Sequence, residues 1–162
     1  MLVLALETST SFGSLCLSSE SKVLFEKSWQ RKNSHGEVST GFIDEAISQT
    51  KMELKDIDYF ACSIGPGSFT GIRVALNVVK SLCYSLGKRA MLFNSLDVIA
   101  SATNFELPIL VLTNAQGGNF FRLRCRRSHG IWEWLSPIEM VSLAQIESEI
   151  KEPHLCLGDG YD

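Results

Sequence analysis

The stretch Ile64-Gly65-Pro66-Gly67-Ser68-Phe69-Thr70-Gly71-Ile72-Arg73 constrains this chain more than any other. Before it, Tyr59 to Ile64 is a short apolar run with the length and composition of a buried strand. Gly65-Pro66-Gly67 breaks that strand, because proline fixes its own φ and the flanking glycines open backbone shapes closed to other residues. Ser68 then stands where an N-cap belongs, its hydroxyl able to accept from a first-turn amide. A strand, a glycine turn and a helix start bring several N–H groups to one spot, where an anion or a partner's carboxylate could be held. The same spacing also serves close packing of strand on helix. Taken alone it favours packing, since short glycine motifs recur without function.

The helix that follows is more telling. Ile72, Ala75, Leu76, Val79, Leu82, Cys83 and Leu86 recur at helical spacing and form a sheet-facing side. Val74 and Val78 form a second apolar strip, continued by the small Ser81 and Ser85. Arg73, Asn77, Lys80 and Tyr84 are left as the polar stripe. A helix on a sheet needs one apolar face, and two imply burial on two sides, against a neighbouring helix or another chain.

Taken in order, Leu2 to Leu6, Gly13 to Ser18 and Lys22 to Trp29 read as an antiparallel meander of three strands. The turn Glu7-Thr8-Ser9-Thr10-Ser11 sets a carboxylate beside hydroxyls, as a site for metal-bound phosphate would. An ordinary polar hairpin turn looks the same, and this stretch alone favours it. Ser34 and Glu37 have capping-box spacing at the start of the first helix, whose inward face is Phe42, Ile43, Ala46 and Ile47. His35 lies at the mouth of that helix, where a structural role is the commoner one. Gly87 ends the central helix. Arg89 to Phe93 reads as a strand and Ser95 to Thr103 as a helix capped by Ser95. Leu107-Pro108 marks a boundary between domains 1–106 and 107–162. Beyond it come a strand over Ile109 to Leu112 and a polar turn over Thr113 to Gly118. The next strand, Phe120 to Arg127, has Phe121, Leu123 and Cys125 on one face and Arg122, Arg124 and Arg126 on the other. Ile131 to Leu135 is a partner strand, Leu143 to Ile150 a short helix, and Leu155 to Leu157 a strand leading into Gly158-Asp159-Gly160.

A net charge of −3 and a pI near 5.6 argue against a chain that grips nucleic acid unaided. Three arginines at period two could still track phosphates within a larger complex. The net charge favours the simpler reading, a solvated sheet face. Five cysteines, odd in number and without metal-ligand spacing, read as free buried thiols of a reducing compartment. The N-terminus lacks a basic leader, and no apolar run approaches about 18 residues, so neither a signal peptide nor a membrane span is expected. The expected localisation is cytoplasmic.

Meander, helix, strand, helix, strand, helix and a second meander fit the α/β fold of the actin, Hsp70 and sugar-kinase (ASKHA) superfamily. That fold is duplicated, here with a complete N-terminal lobe and a short, truncated second lobe. Leu4-Ala5-Leu6-Glu7-Thr8-Ser9-Thr10, His35 and above all Gly65 to Arg73 resemble the bacterial TsaB (YeaZ) family. The likeness runs over essentially the whole chain, although family members continue further, with a C-terminal helix that packs back on the first lobe. The resemblance implies a non-catalytic subunit of the machinery that makes N6-threonylcarbamoyladenosine (t6A) at position 37 of ANN-decoding tRNAs. It implies TsaD as catalytic partner, docked through the two helices of the first lobe, with the ATPase TsaE joining the pair. It implies a homodimer through the same surface when TsaD is absent, and tRNA met only through the complex. On this chain the partner surface falls at His35, Val38, Phe42, Val74, Asn77, Val78, Ser81 and Ser85. The double-faced helix, read independently, agrees.

Residue types argue against chemistry. A working member of the superfamily carries an Asp in each of two phosphate-binding turns, and the matching positions here are Glu7 and Asn114. The resemblance therefore leaves a vestigial nucleotide site at Glu7, Thr8, Ser9, Thr10, Gly65, Gly67 and Ser68. TsaD-like proteins also present a His-x-x-x-His metal pair, which two rings one turn apart on a helix can form. Asn94 to Ile99, the matching stretch, contains no histidine. No metal and no cofactor are expected for this chain, with ATP or ADP bound only within the complex. Two departures from the family pattern are Ser39-Thr40-Gly41, where an apolar Leu-Leu-Pro-like turn is usual, and Asn114-Ala115-Gln116 in place of Asp-Ala-Arg. The competing readings are an ATP-dependent phosphotransferase working through Glu7 and the Thr8-Ser9-Thr10 turn, and, least favoured, a metalloprotease-like enzyme.

Overall fold

The computed structural model describes residues 1–30, 35–105 and 107–160, with residues 35–37 by their backbone alone. The Ser34–Glu37 capping box and the side chain of His35 lie outside the described residues. Two compact units result, Met1–Phe93 and Asn94–Asp162. The division falls earlier than the sequence boundary at Leu107, because helix α3 (Ser95–Ser101) packs on the second sheet, with Leu96 and Ala100 in that unit's core.

The first unit is a five-stranded sheet. Strands β1 (Leu2–Glu7), β2 (Phe12–Ser19) and β3 (Lys22–Gln30) form the expected antiparallel meander. Strands β4 (Tyr59–Ser63) and β5 (Arg89–Phe93) continue it in parallel, giving the order β3-β2-β1-β4-β5. Strand period sends Leu4, Leu6, Leu15, Leu17, Phe60 and Cys62 to one face. Helices α1 (His35–Thr50) and α2 (Phe69–Leu86) cover that face with Ile43, Ala46, Ala75 and Val79, making one buried cluster. Gly13 faces Trp29 across the strands, and a Cβ there would lie 2.3 Å from the indole. The bare backbone lets Trp29 lie over it and meet Phe42, ring centres 5.0 Å apart.

The second unit repeats the plan. Strands β6 (Ile109–Ala115) and β7 (Asn119–Ser128) pair antiparallel, and β8 (Ile131–Trp134) and β9 (Glu139–Ser142) both pair with β7. After α4 (Leu143–Glu149), β10 (Leu155–Leu157) returns parallel to β6, as β4 returns parallel to β1. Ile109, Val111, Leu123 and Cys125 pack under α3, while Leu110 and Leu112 pack with Val141 of β9 and Ile146 of α4. Burial on both faces is why β6 reads as an unbroken apolar run.

Candidate functional site: a helix layer beside a packed glycine turn

Helix α2 starts as its sequence requires: the Ser68 hydroxyl accepts from the Gly71 amide at 3.2 Å. It ends on Gly87 in the left-handed region, φ 64°, whose amide donates to the Cys83 carbonyl. Ala75 and Val79 are fully buried against the sheet. Val74 and Val78 are half-buried, Val78 touching the core from the groove, while Asn77, Ser81 and Ser85 are exposed and turn the strip outward. One expected sheet contact is corrected: Leu76 is 38% exposed, rotated off the sheet by its place between Arg73 and Lys80, whereas Leu82, half-buried, packs on the core as expected.

Between α1 and α2 runs an open groove of about 370 Å³, lined by Thr40, Ile43, Asp44, Leu54, Asn77, Val78, Ser81 and Leu82. Three of the eight expected interface positions, Asn77, Val78 and Ser81, line it. Val38 and Phe42 are half-buried on the core. Phe42 is also engaged by Lys27, whose ammonium sits 5.1 Å from its ring centre and 3.4 Å from the Glu45 carboxylate. Asp44 and Leu54 are not legible in the sequence. Leu54 belongs to a 3-10 turn (Leu54–Asp56) whose single apolar residue carries no periodicity. The charges are segregated: α1 carries Asp44 and Glu45 with no lysine or arginine, and α2 carries Arg73 and Lys80 with no acid.

The glycine turn and the turn after β1 are brought together, and their contact is tight. The Ser68 amide donates to the Ser9 carbonyl at 2.6 Å, and the Thr8 hydroxyl to the Gly71 carbonyl at 2.8 Å. A Cβ at Gly67, where φ is 153°, would lie 2.3 Å from the Ser9 carbonyl oxygen. Gly65, φ 92°, is held against Ile72, and its amide donates to the Ser63 hydroxyl. Glu7 accepts from the Ser9 amide, and Thr10 bonds the carbonyl of Phe12. The amides of Ser9, Gly65, Ser68 and Gly71 are thus bonded within the protein, and Gly67 and Gly71 permit close backbone packing. The Glu7 Oε2 and Ser9 Oγ atoms are buried without a hydrogen-bond partner. Among the described residues no group of three or more His, Cys, Asp or Glu side chains could hold a metal.

The second unit repeats this contact as well. A Cβ at Gly158, φ 110°, would lie 2.0 Å from the Leu112 carbonyl oxygen. The Gly160 amide donates to that same carbonyl, and Asp159 accepts from the Asn114 amide.

The arginine strand is corrected. Arg122, Arg124 and Arg126 do share a face of β7, but α4 and β9 cover it at one end. Arg122 is 4% exposed and pairs with Glu139 of β9 and Glu149 of α4. Arg124 is half-buried against the His154 ring, and Arg126 pairs with Glu133 at 2.7 Å. A buried, doubly paired guanidinium cannot follow phosphates, so the three do not form one open stripe. Two smaller corrections follow: Asn94, not Ser95, occupies the N-cap of α3, leaving Ser95 buried in its first turn, and Cys156 is exposed, unlike the other four thiols.

A family model described as TsaD: tRNA N6-adenosine threonylcarbamoyltransferase matches residues 23–135, well over half of the chain. The chain belongs to the TsaD family. Relatives matched over nearly all of this chain are TsaB (YeaZ) proteins, and this is the branch on which the chain falls. The tRNA threonylcarbamoyladenosine biosynthesis protein TsaB of Buchnera aphidicola subsp. Schizaphis graminum is 28% identical, over 99% of this chain and 79% of that protein. TsaB of Bacillus subtilis is 26% identical, over 98% of this chain and 71% of that protein. The solved structure of YeaZ from Pseudomonas aeruginosa superposes with a TM-score of 0.82 at 18% identity, covering 96% of this chain and 83% of that one. The duplicated α/β fold is accordingly ASKHA-like. No helix among the described residues is long and apolar enough to cross a membrane.

Proposed function

We propose that this TsaB-branch chain acts in the synthesis of threonylcarbamoyladenosine on tRNA as a non-catalytic partner of a TsaD subunit. The observation that carries this reading is the α1–α2 layer. It buries one side on the sheet and leaves a groove and an outward strip of small and β-branched side chains, which let a second pair of helices approach closely. Its charges suit such a partner, because an acidic α1 beside a basic α2 complements a related helix pair turned end for end. That pattern accommodates TsaD, a paralogue, and in its absence a second copy of this chain. The finer parts of the reading are that TsaE joins the TsaD-bound form, that tRNA is met through the assembly, and that ATP or ADP binds only there.

Absence of chemistry in this chain is proposed from the residues of the β1 turn. Glu7 replaces the expected aspartate and has one carboxylate oxygen bonded to the Ser9 amide, and the Gly65, Ser68 and Gly71 amides are bonded within the protein. Reconstitution with TsaD and TsaE, reading t6A by mass of the nucleosides, tests the role. Omitting this chain should abolish product, and the chain alone should hydrolyse no ATP. Metal-dependent ATP turnover by the chain alone, lost in Glu7→Ala, would establish the phosphotransferase reading instead.

A further inference from the structure

Trp132 and Trp134 stand on one face of β8, an outer strand of the second unit's sheet, with ring centres 6.1 Å apart and planes within 5° of parallel. Register sets Trp132 opposite Arg127. Trp132 packs against the core that contains Leu123 and Cys125, anchoring the pair at one end. Trp134, at the other end, is 51% exposed. The Arg127 guanidinium lies 5.9 Å from the Trp132 ring centre and donates to the Asn104 side-chain oxygen. Among the described residues Arg127 has no carboxylate partner, whereas Arg122 and Arg126 each have one or two. The edge therefore carries a half-exposed indole stacked on Trp132 and, against the same Trp132, a half-buried guanidinium without a carboxylate partner. An apolar protein partner has no use for the cation, and a simple anion has none for the indole. A nucleotide uses both, the base on the ring and the phosphate beside the guanidinium. A paired helix keeps its base faces hidden, which selects an unpaired base.

We propose that Trp134 stacks an unpaired base of the tRNA substrate, with Arg127 meeting the adjoining phosphate. This rests on the tRNA-modification role proposed above. The test uses the full chain assembled with TsaD and two fluorescein-labelled RNAs, a stem-loop and a fully paired duplex of equal length. Trp134→Ala should weaken stem-loop binding by about 5- to 50-fold and leave duplex binding unchanged, with Trp134→Phe restoring most of the loss. Arg127→Gln, which keeps a donor for Asn104, should lower the salt slope of stem-loop binding by about one. Unchanged stem-loop affinity in the Trp134→Ala and Arg127→Gln assemblies, or an equal loss for the duplex, overturns the proposal. The pathway role is read separately from t6A formation. If the unaltered chain supports product and Trp134→Ala binds and reacts identically, the stacking site falls and the role stands. If the unaltered chain contributes nothing to product, the role falls and the stacking site with it.

Discussion

Gly71 of α2 presses on Thr8 of the β1 turn so closely that a Cβ on Gly71 would lie 1.8 Å from the Thr8 carbonyl oxygen, while the Thr8 hydroxyl donates to the Gly71 carbonyl at 2.8 Å. Both atoms are backbone or locked to it, so neither can yield cheaply. Gly71→Ala should therefore destabilise the fold by about 3 kcal/mol or more. Gly41 provides the contrast, since a Cβ there meets nothing within 4 Å and the residue lies inside α1. Gly41→Ala should stabilise by about 1 kcal/mol through helix propensity. Urea unfolding of both variants checks the pair, and equal effects of one sign would refute the packing account of the glycine motif.

The Arg122 cluster predicts an asymmetry. Converting Glu139 and Glu149 together to glutamine leaves a buried guanidinium without its countercharges and should cost about 3 kcal/mol. Arg122→Met removes the charge itself and leaves two half-exposed carboxylates that water can serve, so its cost should be clearly smaller. RNA binding by the assembly should be the same in Arg122→Met as in the unaltered chain, with the same salt slope. A flattened slope would return Arg122 to the nucleic-acid surface.

The thiols should separate by burial. Burial first, with Glu7 and Cys83 nearby, pushes the Cys62 thiol up to about 11, and burial first, then Asp97, does the same for Cys125. Cys156 is exposed. A thiol reagent at pH 8 should modify Cys156 rapidly, while Cys62 and Cys125 should react only once denaturant is added. The linkage sign follows: both groups favour the protonated form in the fold. Their contribution to stability is complete below about pH 9, the ordinary thiol value, and is lost as pH rises from there towards 11. A Cys62→Ala, Cys125→Ala double variant should show a shallower alkaline fall in unfolding midpoint.

Legibility in the sequence followed the number of residues that share one environment. Helix α2 repeats its apolar spacing over five turns, so its bounds, its cap at Ser68 and its stop at Gly87 could be read directly. Strand β4 and the meander were clear for the same reason. Strand β9 was not, since one of its four residues, Val141, is buried and alternation needs more than that. The faces of β7 were correctly separated, but alternation tells which side chains share a face and not what lies over it. Two glutamates 17 and 27 positions further along the chain from Arg122 decide its fate. The groove was half legible, because Val78 and Ser81 belong to a periodic strip while Leu54 arrives from an aperiodic turn.

Docking through the outward strip of α2 can be tested by one substitution. Val78 is half-buried at the groove, whereas its neighbour Val79 is fully buried on the sheet side. An arginine at Val78 would put a long charged side chain into the groove beside Asp44 and hold any partner helix off the strip, costing the interface about 3 kcal/mol or more. Native mass measurement of the chain mixed with TsaD from the same organism, with far-UV spectra as a check on folding, gives the answer. The account predicts a heterodimer for the unaltered chain, a folded monomer that binds neither itself nor TsaD for Val78→Arg, and an unfolded chain for Val79→Arg. A folded Val78→Arg chain that still forms the heterodimer at unchanged affinity would contradict it.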